Sequence, residues 1–102
     1  MILYLPIERK WHDMIHAGIK KEEYREFNSY WEKRIARKHI DVVCFIVEYR
    51  YKFFYKCDGI EIKEGKIEWG APPFQCVYAI KISDFIGNDY RIPDNQLSLN
   101  LF

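Results

Sequence analysis

Gly18-Ile19-Lys20-Lys21-Glu22-Glu23-Tyr24-Arg25 joins an amphipathic stretch to a segment that reads as a strand. Taken as extended from Lys21, its side chains alternate, so Glu23 and Arg25 point to one face. Gly18 stands where a helix ends in a left-handed residue, and it frees the turn to aim Lys20 at those two. A lysine, a glutamate and an arginine converging on one side make a polar floor for a planar, hydrogen-bonding ligand. Arg25 offers a planar fork for phosphate or a carbonyl edge. Glu23 accepts from an exocyclic amine or serves as a general base, and Lys20 neutralises phosphate or, once desolvated, becomes a base.

On the N-terminal side, Ile2–Leu5 reads as a short strand stopped by Pro6. Ile7, Trp11, Met14 and Ile15 follow at helical spacing as an apolar stripe. His12 and His16 lie four apart but off that stripe, so they are expected to face solvent. On the C-terminal side, Asn28-Ser29 with Glu32 is a capping-box pattern opening a second helix that carries Trp31 and Ile35. Lys33, Arg34, Arg37 and Lys38 cluster at its end, where cations suit the helix dipole and could also contact RNA phosphates. From Asp41 the chain turns β-rich. Val42–Glu48 is a continuous apolar run, Arg50–Cys57 alternates imperfectly, and Asp58-Gly59 is either a tight turn or a bulge in a longer strand. Ile60 and Ile62 alternate with charges. Trp69-Gly70-Ala71-Pro72-Pro73 must be a loop, since successive prolines cannot continue a ladder. Val77–Ser83 is a strand, and Leu97, Leu99 and Leu101 suit a final edge strand in a tail, 88–102, of less decided order.

The 102 residues suffice for one domain with a single modest core. Helices near the start and about six strands after them predict an α+β fold, a small β-barrel with two short helices packed against it. Aromatic residues make up 18% of the chain, so most must fill the core. Tyr49, Tyr51, Phe53 and Tyr55 are read mainly in that way, whereas Trp69 either plugs the barrel end or stacks on an unpaired base. A net charge of +1 does not indicate a long electrostatic groove for duplex nucleic acid. Residues 1–40 hold nine Lys/Arg against six Asp/Glu, and residues 41–102 seven against nine, so the first half favours an anionic partner. Cys44, Cys57 and Cys76 form no C-x-x-C pair and are expected as reduced core thiols of a cytoplasmic protein. No membrane span, metal or cofactor is expected.

The spacing G-x-K-x-x-E-x-R over Gly18, Lys20, Glu23 and Arg25 resembles the signature of the ASCH domain family, whose fold is similar to the PUA RNA-binding domain. Ile2–Ala17 looks like the family's opening strand and helix. Glu68-Trp69-Gly70-Ala71-Pro72, with Val77-Tyr78-Ala79-Ile80-Lys81-Ile82, looks like the later half of a phage- or prophage-type branch. The resemblance implies a PUA-like barrel with a cleft between barrel and first helix, and an RNA- or nucleotide-binding role for Lys20, Glu23, Arg25 and Trp69. It also admits a small hydrolase acting on RNA or on a modified nucleoside of the N4-acetylcytidine kind, with Lys20 and Glu23 as catalytic groups. In that amidohydrolase branch a threonine stands three residues after the motif lysine; here the position holds Glu23. A phage accessory protein binding a host protein is a further alternative.

Overall fold

The computed structural model describes residues 1–88. Five strands, β1 (Ile2–Ile7), β2 (Glu22–Glu26), β3 (Val42–Val47), β4 (Tyr51–Glu64) and β5 (Cys76–Asn88), form one sheet in the order β1-β3-β4-β5-β2. Helix α1 (Arg9–His16) joins β1 to β2, and α2 (Ser29–Ile35) joins β2 to β3. A single 3-10 turn, Ile67–Trp69, sits between β4 and β5. The β1–β3 pair is parallel, because the chain between them crosses through both helices and β2; every other pair is antiparallel. This is the expected α+β architecture, a sheet curled into a half-barrel with two helices against it.

Curling follows from the long β4–β5 hairpin. Its register shifts between Phe54 and Gly59, where Gly59 takes φ 131°, and such bulges bend and twist a strand. The first half of β4 therefore pairs with β3, while the start of β5 pairs with β2. Asp58-Gly59 is thus a bulge inside one strand, and the segments on either side of it are not two strands. With 97–101 outside the described residues, five strands are seen where about six are expected.

Period-two alternation decides what lies inside. Leu3, Leu5 and Ile7 of β1, Val43, Phe45 and Val47 of β3, Tyr55 and Cys57 of β4, and Tyr78, Ile80 and Ile82 of β5 share one core. Each helix adds one buried isoleucine to it, Ile15 or Ile35. Helix α2 starts on Asn28 rather than Ser29: the Asn28 side chain accepts from the Trp31 N–H at 3.0 Å, the first of the two expected cap residues doing the work.

Three local expectations change. Strand β1 runs through Pro6 instead of stopping there, and it takes in Ile7, which is a strand residue paired with Val47 and not the first member of the helical stripe. Among the described residues it is an edge strand paired with β3 alone, so a proline whose nitrogen faces away from that partner costs no ladder bond. Cys44 and Cys57 are buried free thiols, but Cys76, at the start of β5, is exposed. His12, expected in solvent, is only 4% exposed. Helix α1 lies across the open end of the curl, so its buried face is wider than the stripe of Trp11, Met14 and Ile15. The His12 ring stacks on Phe53 at 4.1 Å, and its Nε2 meets the Tyr55 hydroxyl at 2.9 Å. Exposed His16 reaches the same hydroxyl through Nδ1 at 2.8 Å.

Burial, then the charge of His16, holds the His12 pKa at about 4 against an ordinary 6.5. Between those values the unfolded chain takes up a proton that the native chain refuses. Stability is complete above about pH 6.5 and falls as pH drops toward 4, by roughly 3 kcal/mol for this group. Urea unfolding near pH 7 and near pH 4.5 should show that loss in the native sequence and not in His12→Gln.

Candidate functional site

Lys20, Glu23 and Arg25 do converge. Gly18 takes φ 79° after α1, and the turn it makes carries Lys20 back beneath the start of β2. Glu23 and Arg25 pair in register with Ile80 and Tyr78, so both belong to the face of β2 turned toward the core. The Glu23 carboxylate lies between two cations, with Oε1 3.0 Å from Lys20 Nζ and Oε2 bound by Arg25 Nη1. Lys20 is 2% exposed and Glu23 5%. Nζ of Lys20 also donates to the Trp69 carbonyl and sits over the rings of Trp11 and Tyr24, at 5.1 and 4.9 Å. Burial is the main influence on Lys20 and lowers its pKa, against the opposing pull of Glu23.

Arg25 spans the open seam of the half-barrel. Strands β1 and β2 are the two ends of the sheet order and do not pair. Arg25 Nη2 donates to the Pro6 carbonyl of β1 at 2.6 Å, while Nη1 serves Glu23 and the Tyr24 carbonyl, the latter at 2.8 Å. Of the five guanidinium N–H groups these contacts use three, leaving Nε–H and one Nη2–H. The guanidinium lies 5.4 Å from the ring of Trp31.

Where the two edge strands fail to meet, a cleft of about 370 Å³ opens, lined by Glu8, Trp11, Glu23, Arg25, Trp31 and Trp69 among others. That volume is at the small end of the roughly 300–1,000 Å³ common for ligand pockets. All three tryptophans of the chain reach this one place. Trp11 and the Trp69 loop adjoin: Gly70 takes φ 101°, and a Cβ there would stand 3.1 Å from the Trp11 ring. Trp69 packs on Tyr24, Ala71, Val77 and Ala79 and presents part of its surface to the cleft.

The expected site residues therefore separate. Glu23, Arg25 and Trp69 are walls of the cleft, whereas Lys20 lies behind Glu23 and is not a wall. Lys33 and Arg34 are exposed on α2, Arg34 over the Tyr30 ring at 4.1 Å. Arg37 and Lys38 border a different depression, over Phe27, Ile60 and Ile62, which shares no wall residue with the cleft. Trp11, Trp31 and Glu8 are walls that sequence reasoning passed over. The scarcity of tryptophan, three in the chain, is the one signal pointing to Trp11 and Trp31, and nothing in the sequence marks Glu8. Among the described residues no group of three or more His, Cys, Asp or Glu side chains is placed to hold a metal ion. None of the helices among the described residues is long and apolar enough to cross a membrane.

Removing the Glu23 charge strands a buried ammonium beside a largely buried guanidinium. Glu23→Gln should lower unfolding free energy by about 3–5 kcal/mol, and Lys20→Met added to it should restore part of that loss. Gly70→Ala, which forces a side chain into the left-handed region against Trp11, should cost about 1–3 kcal/mol. Urea denaturation reads all three. Comparisons with protein-family models, with curated proteins and with solved structures find no match for this chain.

Proposed function

We propose that this protein is an RNA- or nucleotide-binding module, of the PUA-like kind that its ASCH-type signature implies, which takes one unpaired base into the cleft between α1 and the two edge strands. The observation that carries this reading is the convergence of every tryptophan in the chain on a cleft floored by the Glu23–Arg25 pair. Indole faces suit any base, and stacking on them contributes roughly 1–3 kcal/mol per base. The two unused N–H groups of Arg25 suit a carbonyl or ring nitrogen. The Glu8 carboxylate, which has no ion-pair partner among the described residues, suits an exocyclic amine. Lys20, Glu23 and Arg25 together carry a charge of +1, which favours an electron-rich edge above them. A site of this size and a near-neutral chain fit one base of a single strand better than a duplex.

The hydrolase reading rests on Lys20, whose pKa burial lowers. Its ammonium is bound to Glu23 and the Trp69 carbonyl behind the wall, and both Glu23 oxygens face cations. Neither group is left open to activate water on a ligand in the cleft, so binding is the favoured reading.

Because all three tryptophans line the cleft, intrinsic fluorescence reports on it directly. Nucleosides, nucleotides and a short single-stranded RNA should quench the emission saturably. Trp31→Phe should keep binding but weaken it, and Arg25→Lys, which loses the planar fork, should weaken it by about tenfold or more. No quenching by any of these ligands would end this reading. Product formation from N4-acetylcytidine would put the hydrolase in its place.

A further inference from the structure

We infer that the ligand of the cleft is an internal nucleotide of single-stranded RNA, whose flanking phosphates are received by Lys10 and Lys66 and not by the basic end of α2. This rests on the binding reading above and adds the part of the ligand that lies outside the cleft. Lys10 Nζ stands 4.4 Å from the ring of Trp11, and Lys66 Nζ 4.2 Å from the ring of Trp69. Both indoles are walls of the cleft, and both lysines are exposed. An ammonium resting on an aromatic face is held in place while most of its N–H donors stay available.

Charge accounting separates these two from the paired cations but not from Lys33, Arg34, Arg37 and Lys38, which also have no ion pair among the described residues and are set aside by position. Arg9, Lys20, Arg25, Lys63 and Lys81 each have a carboxylate within ion-pair distance. Lys10 and Lys66 have none among the described residues, and neighbouring Glu8 and Glu68 pair with neither. The cleft itself offers a phosphate no net positive charge. Glu8 and Glu23 are among its walls, and they balance the charges of Lys20 and Arg25. A nucleotide therefore enters base first, with its phosphates left outside beside the indole walls on which the two lysines rest, Lys66 bordering an adjoining depression that shares Trp69 with the cleft. They come from different elements, Lys10 from α1 and Lys66 from the segment leading into the 3-10 turn, so two phosphates are served. Arg37 and Lys38 border a depression with no wall in common with the cleft.

The test is a tryptophan-fluorescence titration of the full chain with the four nucleosides, their 5′-monophosphates and a mixed-sequence hexaribonucleotide, over a range of salt concentrations. The hexamer should bind about tenfold or more tighter than any nucleoside, and its log K should fall with log salt at a slope near −1.4, about −0.7 per phosphate. Lys10→Gln and Lys66→Gln should each remove about half of that slope and leave nucleoside affinity unchanged, while Lys33→Gln with Arg37→Gln should leave the slope as it was. Nucleosides binding as tightly as the hexamer would overturn the phosphate assignment while the cleft reading stands. So would a slope that falls only in Lys33→Gln with Arg37→Gln. No quenching by any ligand would overturn both.

Discussion

The Glu23 carboxylate is the contact on which the cleft side of this molecule depends. It binds Lys20 from the α1–β2 turn and Arg25 from β2, and through them it reaches the Trp69 carbonyl beside the 3-10 turn and the Pro6 carbonyl of β1. Three separated pieces of chain, at Pro6, at residues 20–25 and at Trp69, are thus tied together through one buried anion. Taking three charges out of water is expensive, and mutual attraction offsets the cost only where hydrogen bonds satisfy the remaining donors. Both oxygens of Glu23 have a cation, and each cation has a backbone carbonyl besides. The arrangement contributes geometry more than net stability, since an apolar trio of similar volume would fill the space without fixing where the turns lie.

The cleft exists because the half-barrel is closed there by a side chain. Paired strands lie about 4.8 Å apart and leave no room between them. A guanidinium reaching from β2 to the Pro6 carbonyl holds the two edges at arm's length, and the gap is walled by indoles. Pro6 suits that edge twice over: it has no N–H to leave unsatisfied, and its free carbonyl is the acceptor that Arg25 needs. The same opening is covered lower down by α1, whose His12 and His16 meet on Tyr55. Cleft wall and core lid are two faces of one short helix, which couples the packing of Trp11 to that of the residues beneath.

Local rules made much of the fold legible. Apolar period two marked β3 and β5, helical spacing marked α1, and Gly18 marked its end. The polar floor was legible for the same reason, because Glu23 and Arg25 sit two apart on a strand and Lys20 sits at a turn with a glycine. Pro6 misled because whether a proline ends a strand depends on the strand's place in the sheet. Asp58-Gly59 left a choice that depends on whether β4 keeps its partner beyond the bulge. His12 misled because an apolar stripe says which residues must be buried, not how much more a neighbouring surface will cover.

The sequence by itself determined the class of structure, the order of elements up to Glu26 though not where β1 ends, and the three charged residues that meet under the cleft. These follow from interactions between residues close in the chain, where spacing is a direct measure of direction. The tertiary structure alone decided that Trp11, Trp31 and Trp69 line one cleft, that Lys20 stands behind Glu23, and that Arg37 and Lys38 border a different depression. Those positions are up to 58 residues apart, counting from Trp11 to Trp69. Their meeting is set by the bulged hairpin and the open seam of the sheet, long-range packing that no local period encodes.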